Sequence, residues 1–504
     1  MSSSGPPGVP DPARGLPGRG RRPLALAIAL VVVVKVGYFL QYADLPFLKG
    51  PLYDSVVYLR QSQAILEGDF GHPSLLAFSP LYGWFLAALG AGSAPLLPVA
   101  AQMALGLASL VLLFRLGDRL WGRAAGIGAA LLYFGYGLFL FYETKILSET
   151  LAIFLLIVTL TIWSSRGFEA GRALHGLGTG LVLGLAVLAR ASLLFAAPLF
   201  AIGAALRWRA QDAPWRGRSR RAGLLALGLS LVLLANGAWN LHHSGFFVPV
   251  IFASRTVTTA TTTGWSGSLA AYGDPRTGAD PSAWAVVEQA EERIRAVRRG
   301  EQDPAPIVPR IDLLGALEAA PAKLARLFGD TETSFDYGYL GERGEVGTLR
   351  LLPVSFGALL VLAIVGSVLL VRSDGARSLV PHLPLLLGTV LLTFFFHPSS
   401  RYRLPMTLPL ILLAAHAVAA PAGLPTRKAR ALAAGALAVV VAVFAVRGWT
   451  RDLASPSTWE LRVAQGAAAA GDLVERDRRI RRARRLGKGD PDVERRISAI
   501  LERP

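Results

Sequence analysis

Apolar runs of about 20 residues recur from residue 24 to residue 446, parted by short arginine-bearing segments. About 20 apolar residues is the length a helix needs to cross a bilayer. Inside lipid the backbone must satisfy its own hydrogen bonds, which a helix of this length does. The expected fold class is therefore an all-α, multi-pass transmembrane protein. Hydrophobic residues make up 53% of 504 and the mean hydropathy is +0.45, above the range of ordinary soluble domains.

The runs place spans at 24–43, about 95–115, 124–142, 146–163, 222–241, 349–371, 380–396, 404–420 and 428–446. Residues 175–206 form a longer run interrupted by Arg190. Charge decides its reading. The segments 164–174 and 207–221 flank it and are both basic, the second with six arginines. Lys and Arg collect on the cytoplasmic side of short loops, so both flanks are cytoplasmic only if 175–206 crosses twice, as a hairpin with Arg190 at its outer tip. That makes about 11 spans with the N-terminus inside. The segments then assigned inside (1–23, 115–123, 164–174, 207–221, 372–378 and 427–430) hold 20 Lys+Arg against 5 acids, whereas 242–347 holds 10 against 14.

Five regions follow. Residues 1–23 are a disordered basic cytoplasmic tail, rich in Pro, Gly and Ser. No small-residue cleavage site follows the first run, so residues 24–43 read as a retained anchor; Lys35 inside it contacts a lipid phosphate or snorkels to the interface. Residues 24–241 are an N-terminal transmembrane module with an outer loop at 44–85. Residues 242–347 are a small mixed extracytoplasmic domain: a polar stretch at 255–268, an amphipathic helix at 282–299, and a helix at 311–328 interrupted by Pro321. Residues 348–447 are a second transmembrane module. Residues 448–504 are a charged helical tail that resembles part of a tetratricopeptide-like repeat; the eleven-span topology puts it outside, although it holds 13 Lys+Arg against 9 acids.

The net charge of +18 does not imply a nucleic-acid partner, because the excess sits in short loops as orientation signals do. No cysteine is present, so disulfide and thiol chemistry are excluded. There is no Walker-type phosphate loop and no dinucleotide fingerprint, which turns attention from soluble nucleotide donors to a lipid-linked one. Adjacent His242 and His243 give no ligand spacing.

The chemistry concentrates after the first span, in GPLYDSVVYLRQSQAILEGDFGHPSLLAFSPLYGW at 50–84. Val56, Leu59, Gln63 and Leu66 lie along one side of a short amphipathic helix, with Gly68 as its stop. Asp54 opens that helix, either as a capping residue or as a reactive carboxylate. The order Asp54, Tyr58, a helix ending at Gly68, then Ser79-Pro80-Leu81-Tyr82, resembles the first outer loop of the C-type (GT-C) integral membrane glycosyltransferases. These include the protein O-mannosyltransferases and the aminoarabinose transferase acting on lipid A. One departure is Ser55, where many relatives carry a second acid.

The resemblance implies a GT-C fold and a sugar donor on a polyprenyl phosphate. It further implies transfer with inversion to a hydroxyl of a lipid, glycan or protein acceptor, at the outer face of a bacterial cell inner membrane, with Asp54 as base. It leaves a divalent metal open as a cofactor. Such a transfer needs a base for the attacking hydroxyl and cations for the leaving phosphate. The candidates for substrate and phosphate contact are Tyr58, Glu143, Lys145, Glu149, Arg190, His397, Arg401, Tyr402 and Arg403. Glu143 and Lys145 sit at the outer junction of two spans, and the Leu147-Ser148-Glu149 element resembles the same place in the family. Glu149 also suits a helix start. Arg190 seeks a phosphate or an ion pair with Asp54, Glu143 or Glu149. The late loop at 397–405, with its Arg-Tyr-Arg, puts positive charge against the orientation rule. A membrane transporter or lipid flippase is the alternative from another class, although no duplicated half is seen; a partner-holding scaffold is a further one.

Overall fold

The computed structural model describes residues 21–91, 95–209, 215–251, 313–330, 337–396, 398–423, 426–447 and 456–502, with 292, 295, 296, 299–301 and 332 between. The basic tail up to residue 20, the polar stretch 255–268, most of the amphipathic helix at 282–299, and His397 lie outside the described residues.

Among the described residues the structure is all helical, with no strand. Helix α1 spans Arg21–Ala43, so it begins inside the stretch read as tail, and a 3₁₀ turn at Pro46–Leu48 follows. The loop at 44–85 folds as α2 (Asp54–Leu66), α3 (Pro73–Ala77) and α4 (Pro80–Ala88). Gly68 takes φ +79° just past α2, the left-handed conformation that ends helices. Pro80 occupies the first turn of α4, where its missing N–H costs nothing.

The apolar helices follow as α5 (Leu96–Trp121), α6 (Arg123–Gly135), α7 (Leu138–Glu143), α8 (Glu149–Trp163), a short α9 (Arg166–Glu169), α10 (Ala173–Ala189), α11 (Ala197–Arg209) and α12 (Trp215–Ser244). The long run at 175–206 breaks at Arg190, whose backbone is extended between α10 and the 3₁₀ turn Ala191–Phe195. Helix α13 (Leu313–Leu327) runs unbroken through Pro321, where an interruption was expected. The short α14 (Tyr339–Glu345) and α15 (Gly347–Arg350) lead into α16 (Phe356–Asp374), α17 (Leu383–Phe395), α18 (Ser400–Ala419) and α19 (Arg427–Arg447). The tail forms α20 (Pro456–Ala469), α21 (Leu473–Leu486) and α22 (Pro491–Leu501).

Five of these elements are long and apolar enough to cross a membrane: α5, Arg220–Ser244 within α12, α16, Ala376–Phe395 and α18. Shorter apolar helices stand beside them at Ile28–Ala43, Glu149–Trp163, Ala173–Ala189 and Ala191–Leu206. This is the build of a multi-pass membrane protein. Leu30, Val33, Leu131, Ile202, Leu234 and Ile364 remain more than half exposed, as side chains against lipid do. With no hydrophobic drive between helices in lipid, close approach rests on small residues. A methyl group on Gly180 of α10 would strike the Leu225 carbonyl of α12, and one on Gly366 of α16 would strike the Leu413 carbonyl of α18.

The most buried of the long apolar helices is α18. Its companions in the core are α16, α6 and α17. The tail closes on a small core of its own, including Leu461, Ile480, Val493 and Ile497. It docks on the loop after α1: the Phe47 ring lies 5.9 Å from the Trp459 ring, and a methyl group on Gly50 would strike the Gly466 carbonyl. The tail therefore shares the face of the molecule that carries α2 and Asp54.

Candidate active site

Helix α2 starts under constraint. Tyr53, its N-cap, has φ +53° and ψ −130°, the only positive φ outside glycine among the described residues. A bulky residue in that region is strained and persists only where the surroundings hold it. Three contacts hold it here. The Tyr337 hydroxyl accepts from the Leu52 N–H at 3.0 Å and bonds the Ser55 hydroxyl at 3.0 Å. The Tyr53 hydroxyl donates to Gln465 of the tail at 3.4 Å.

Asp54 follows as the first residue of α2, and no side chain caps this helix. Its carboxylate accepts instead from Arg401 Nη1, with Oδ2 at 2.8 Å. Arg401 Nε donates to Glu149, and Arg190 donates to the same Glu149 oxygen. The Arg190 guanidinium lies 5.3 Å from the centre of the Tyr402 ring. Tyr58, one turn along α2 from Asp54, donates to Ser148 at 3.3 Å, immediately before Glu149. Burial, with the Asp54 carboxylate second, pushes the Tyr58 hydroxyl above its usual range, so it stays a neutral donor.

Asp54, Tyr58, Glu149, Arg190, Arg401 and Tyr402 thus come together from four places in the chain. The start of α2, the start of α8, the break after α10 and the first turn of α18 meet here. The break is itself tied to the loop at 44–85, because the Ala191 N–H donates to the Ser79 hydroxyl at 3.0 Å. The side chains of Asp54 and Arg401 retain 16% and 12% exposure, against 1% for Glu149. Two atoms in this cluster have no hydrogen-bond partner among the described residues: Glu149 Oε2 and Arg190 Nε. A buried polar atom left unpaired is costly and calls for an explanation.

Other candidates fall elsewhere. Lys145 is not open to a phosphate: its Nζ lies 2.9 Å from Glu342, 3.0 Å from the Thr144 hydroxyl and 3.8 Å from the centre of the Tyr42 ring. Glu143 pairs with Lys35, both buried. Lys35 therefore neither snorkels nor meets lipid phosphate, because an internal carboxylate offers a better partner within reach. Arg403 turns away from Arg401 to Glu332 at 2.7 Å and the Gly329 carbonyl at 2.7 Å, with its guanidinium 3.8 Å from the centre of the Phe356 ring. His243 packs 4.4 Å from the Trp239 ring and 5.2 Å from Phe70, an aromatic group of the kind that sits at membrane interfaces.

Tyr337, Glu342, Glu332 and Gln102 do structural work that the sequence reading missed. Gln102 was legible as a lone amide in an apolar run. It bonds the carbonyls of Glu143 at 3.0 Å and Lys145 at 2.7 Å, and accepts from Tyr82 at 2.7 Å. Glu332 and Glu342 had no distinguishing signal among the many acids of 242–347. Among the described residues no group of three or more His, Asp or Glu side chains is placed to hold a metal ion. Both carboxylates of the cluster are engaged by guanidinium groups.

No protein-family model matches the chain, and no curated protein matches it in sequence. Among solved structures it is similar to the archaeal oligosaccharyltransferase AglB from Archaeoglobus fulgidus, determined in complex with an inhibitory peptide and a dolichol-phosphate. The TM-score is 0.44 and the identity 13%, over 96% of this chain and 60% of that one. The chain thus spans about three fifths of the length of that protein.

Proposed function

We propose that this protein is an integral membrane glycosyltransferase of the C-type fold. It takes a sugar from a polyprenyl-phosphate carrier and passes it to a hydroxyl acceptor, with inversion, on the outer face of a bacterial inner membrane. Eleven spans, an extracytoplasmic domain at 242–347 and an external tail complete this reading. The observation that carries it is the meeting of Asp54 with Arg401, Glu149 and Arg190 at the ends of apolar helices. One partly exposed carboxylate and two guanidinium groups share one site there.

The roles follow from chemistry. The Asp54 carboxylate takes the proton of the acceptor hydroxyl as that oxygen bonds to the sugar carbon. The bond from that carbon to the phosphate oxygen breaks, and the electron pair leaves with the phosphate. Arg401 and Arg190 meet the growing charge, for which planar guanidinium groups are suited. Arg401 now bonds Asp54. A donor phosphate competes for that guanidinium and releases the carboxylate to act as base. Glu149 fixes both arginines, and Tyr402 lies against the sugar or its lipid.

The test is transfer by purified protein in nanodiscs from polyprenyl-phosphate sugars labelled in the sugar, with envelope extract as acceptor. Label should move to an extract component with wild type and not with Asp54→Asn. Full transfer by folded Asp54→Asn removes the base assignment. Absence of transfer with every donor, together with movement of labelled lipid between leaflets, favours the flippase.

A further inference from the structure

The tail reaches the start of α2 through α20, and two glycines make the seat. A methyl group on Gly50 would strike the Gly466 carbonyl and the Ala470 N–H, and one on Gly466 would strike the Phe47 ring. Backbone meets backbone at Gly50, with no side chain between to give way. Phe47 is held on two sides, 5.9 Å from the Trp459 ring of α20 and 5.2 Å from the Tyr337 ring. Trp459 donates to Glu345 of α14 at 2.9 Å, and Arg479 binds the same carboxylate through two nitrogens. The loop at 46–53 is therefore clamped between α20 and the segment 337–345. The clamped stretch ends at Tyr53, whose φ of +53° persists only where its surroundings fix it. The Tyr53 hydroxyl bonds Gln465, the neighbour of Gly466. The Ser55 and Val56 N–H groups donate to the Leu52 and Tyr53 carbonyls at 3.1 and 3.0 Å, so the first turn of α2 stands on that strained link.

We propose that Gln465 and Gly466 are positioning residues: the docked α20 holds Tyr53 in its strained conformation and so sets the Asp54 carboxylate against Arg401. The tail acts through Tyr53 and the loop, and its backbone contact falls only four residues before Asp54. Resting on the function proposed above, transfer then depends on a docked tail.

The test uses the full chain in nanodiscs and two readouts. Gly466→Val drives a side chain into Phe47 from the tail side, while the tail's own core of Leu461, Ile480 and Val493 is untouched. Hydrogen exchange at the Ser55 and Val56 amides, measured without donor, should rise roughly ten- to hundredfold, the range set by releasing one strained residue. Gln465→Leu removes the Tyr53 bond and keeps the packing, and should raise the same exchange several-fold. Transfer per folded molecule should fall in the same order. Tyr53→Gly should restore much of the transfer lost in Gly466→Val, because glycine adopts positive φ without strain and does not need the tail to hold it there. A tail that merely stabilised the fold would give no such rescue. Unchanged exchange at Ser55 and Val56 in either tail variant, or no rescue by Tyr53→Gly, overturns the proposal. Should wild type transfer no label from any donor, the function proposed above fails, and the exchange result still decides whether the tail sets the start of α2.

Discussion

Two clusters of buried charge lie near each other around the loop that follows α1, and they are built differently. In one, Lys145 and Glu342 have side chains with no exposure, and both carboxylate oxygens lie within 3.0 Å of the ammonium. Tyr38 and Thr144 bond the same ammonium, and Tyr42 covers it. In the other, Asp54 and Arg401 keep partial exposure, one oxygen of Glu149 serves two arginines, and Glu149 Oε2 and Arg190 Nε are left unpaired. The first cluster is closed and pins α1, the 144–148 turn and α14 together. The second keeps a route to solvent, with Asp54 and Arg401 at 16% and 12% exposure against none for Lys145 and Glu342. A charged pair in an apolar setting is thus no mark of function by itself; access from outside is what separates the two.

The contrast is tested first at its strongest point. Asp54→Asn should lower transfer by roughly a hundredfold to ten-thousandfold, the range for a positioned acid–base group, with unfolding temperature unchanged. Arg401→Gln should lower it by roughly a hundredfold to a thousandfold, the range for a donor that meets developing charge, with some loss of stability because Glu149 is buried. The readout is label transfer per folded molecule. Lys145→Met should do the reverse. Removing one partner of a buried pair costs about 3–5 kcal/mol, seen in thermal unfolding, while transfer per folded molecule persists. Lys145→Met with Glu342→Leu should regain much of that stability. If Lys145→Met instead abolishes transfer in a stable protein, the two clusters do not differ as argued.

A smaller effect sharpens the description of the loop. Tyr337→Phe removes the acceptor for the Leu52 N–H and the partner of Ser55, a loss of about 1 kcal/mol each. It should relax Tyr53, and transfer per folded molecule should fall several-fold, through KM more than through kcat. The smallest effect concerns the tail. Burial tends to raise the Glu345 carboxyl, but hydrogen bonds from Arg479 and Trp459 and the nearby Arg482 charge outweigh it and hold it below its usual value. Arg479 also reaches Glu460 at 3.0 Å. A carboxyl depressed in the folded state stabilises above its unfolded pKa of about 4.3 and loses that stabilisation as pH falls through the lower folded value. Protection of the α20 amides from hydrogen exchange, relative to the unprotected rate at each pH, should therefore be high at neutral pH and fall below about pH 4.

The helix positions were legible because lipid leaves the backbone one economical solution, and a run of about 20 apolar residues announces it. The break at Arg190 followed from charge on its flanks. Pairings were less legible. Arg190 had three acids to choose among, and only folding brought Glu149 to it. Lys145 and Arg403 looked as suitable for phosphate as Arg401, the first as a cation at a span junction and the second as identical in type and near in sequence. Arg403 is two positions from Arg401 on a helix and so points to another side, where Glu332 waits. Pro321 sits within α13 despite its missing N–H.

The sequence by itself determined an all-helical membrane chain, an acidic loop after its first apolar helix, and cations at the ends of later ones. Those depend on hydropathy, period and charge, which are local. Only the tertiary structure decided which charges meet. It joined Asp54 to Arg401 across 347 positions and Tyr38 to Glu342 across 304, and it set the tail against the loop that carries Asp54. Partners so far apart are chosen by how helices cross, and in this chain the crossings depend on glycines such as Gly180 and Gly366, whose significance no local pattern announces.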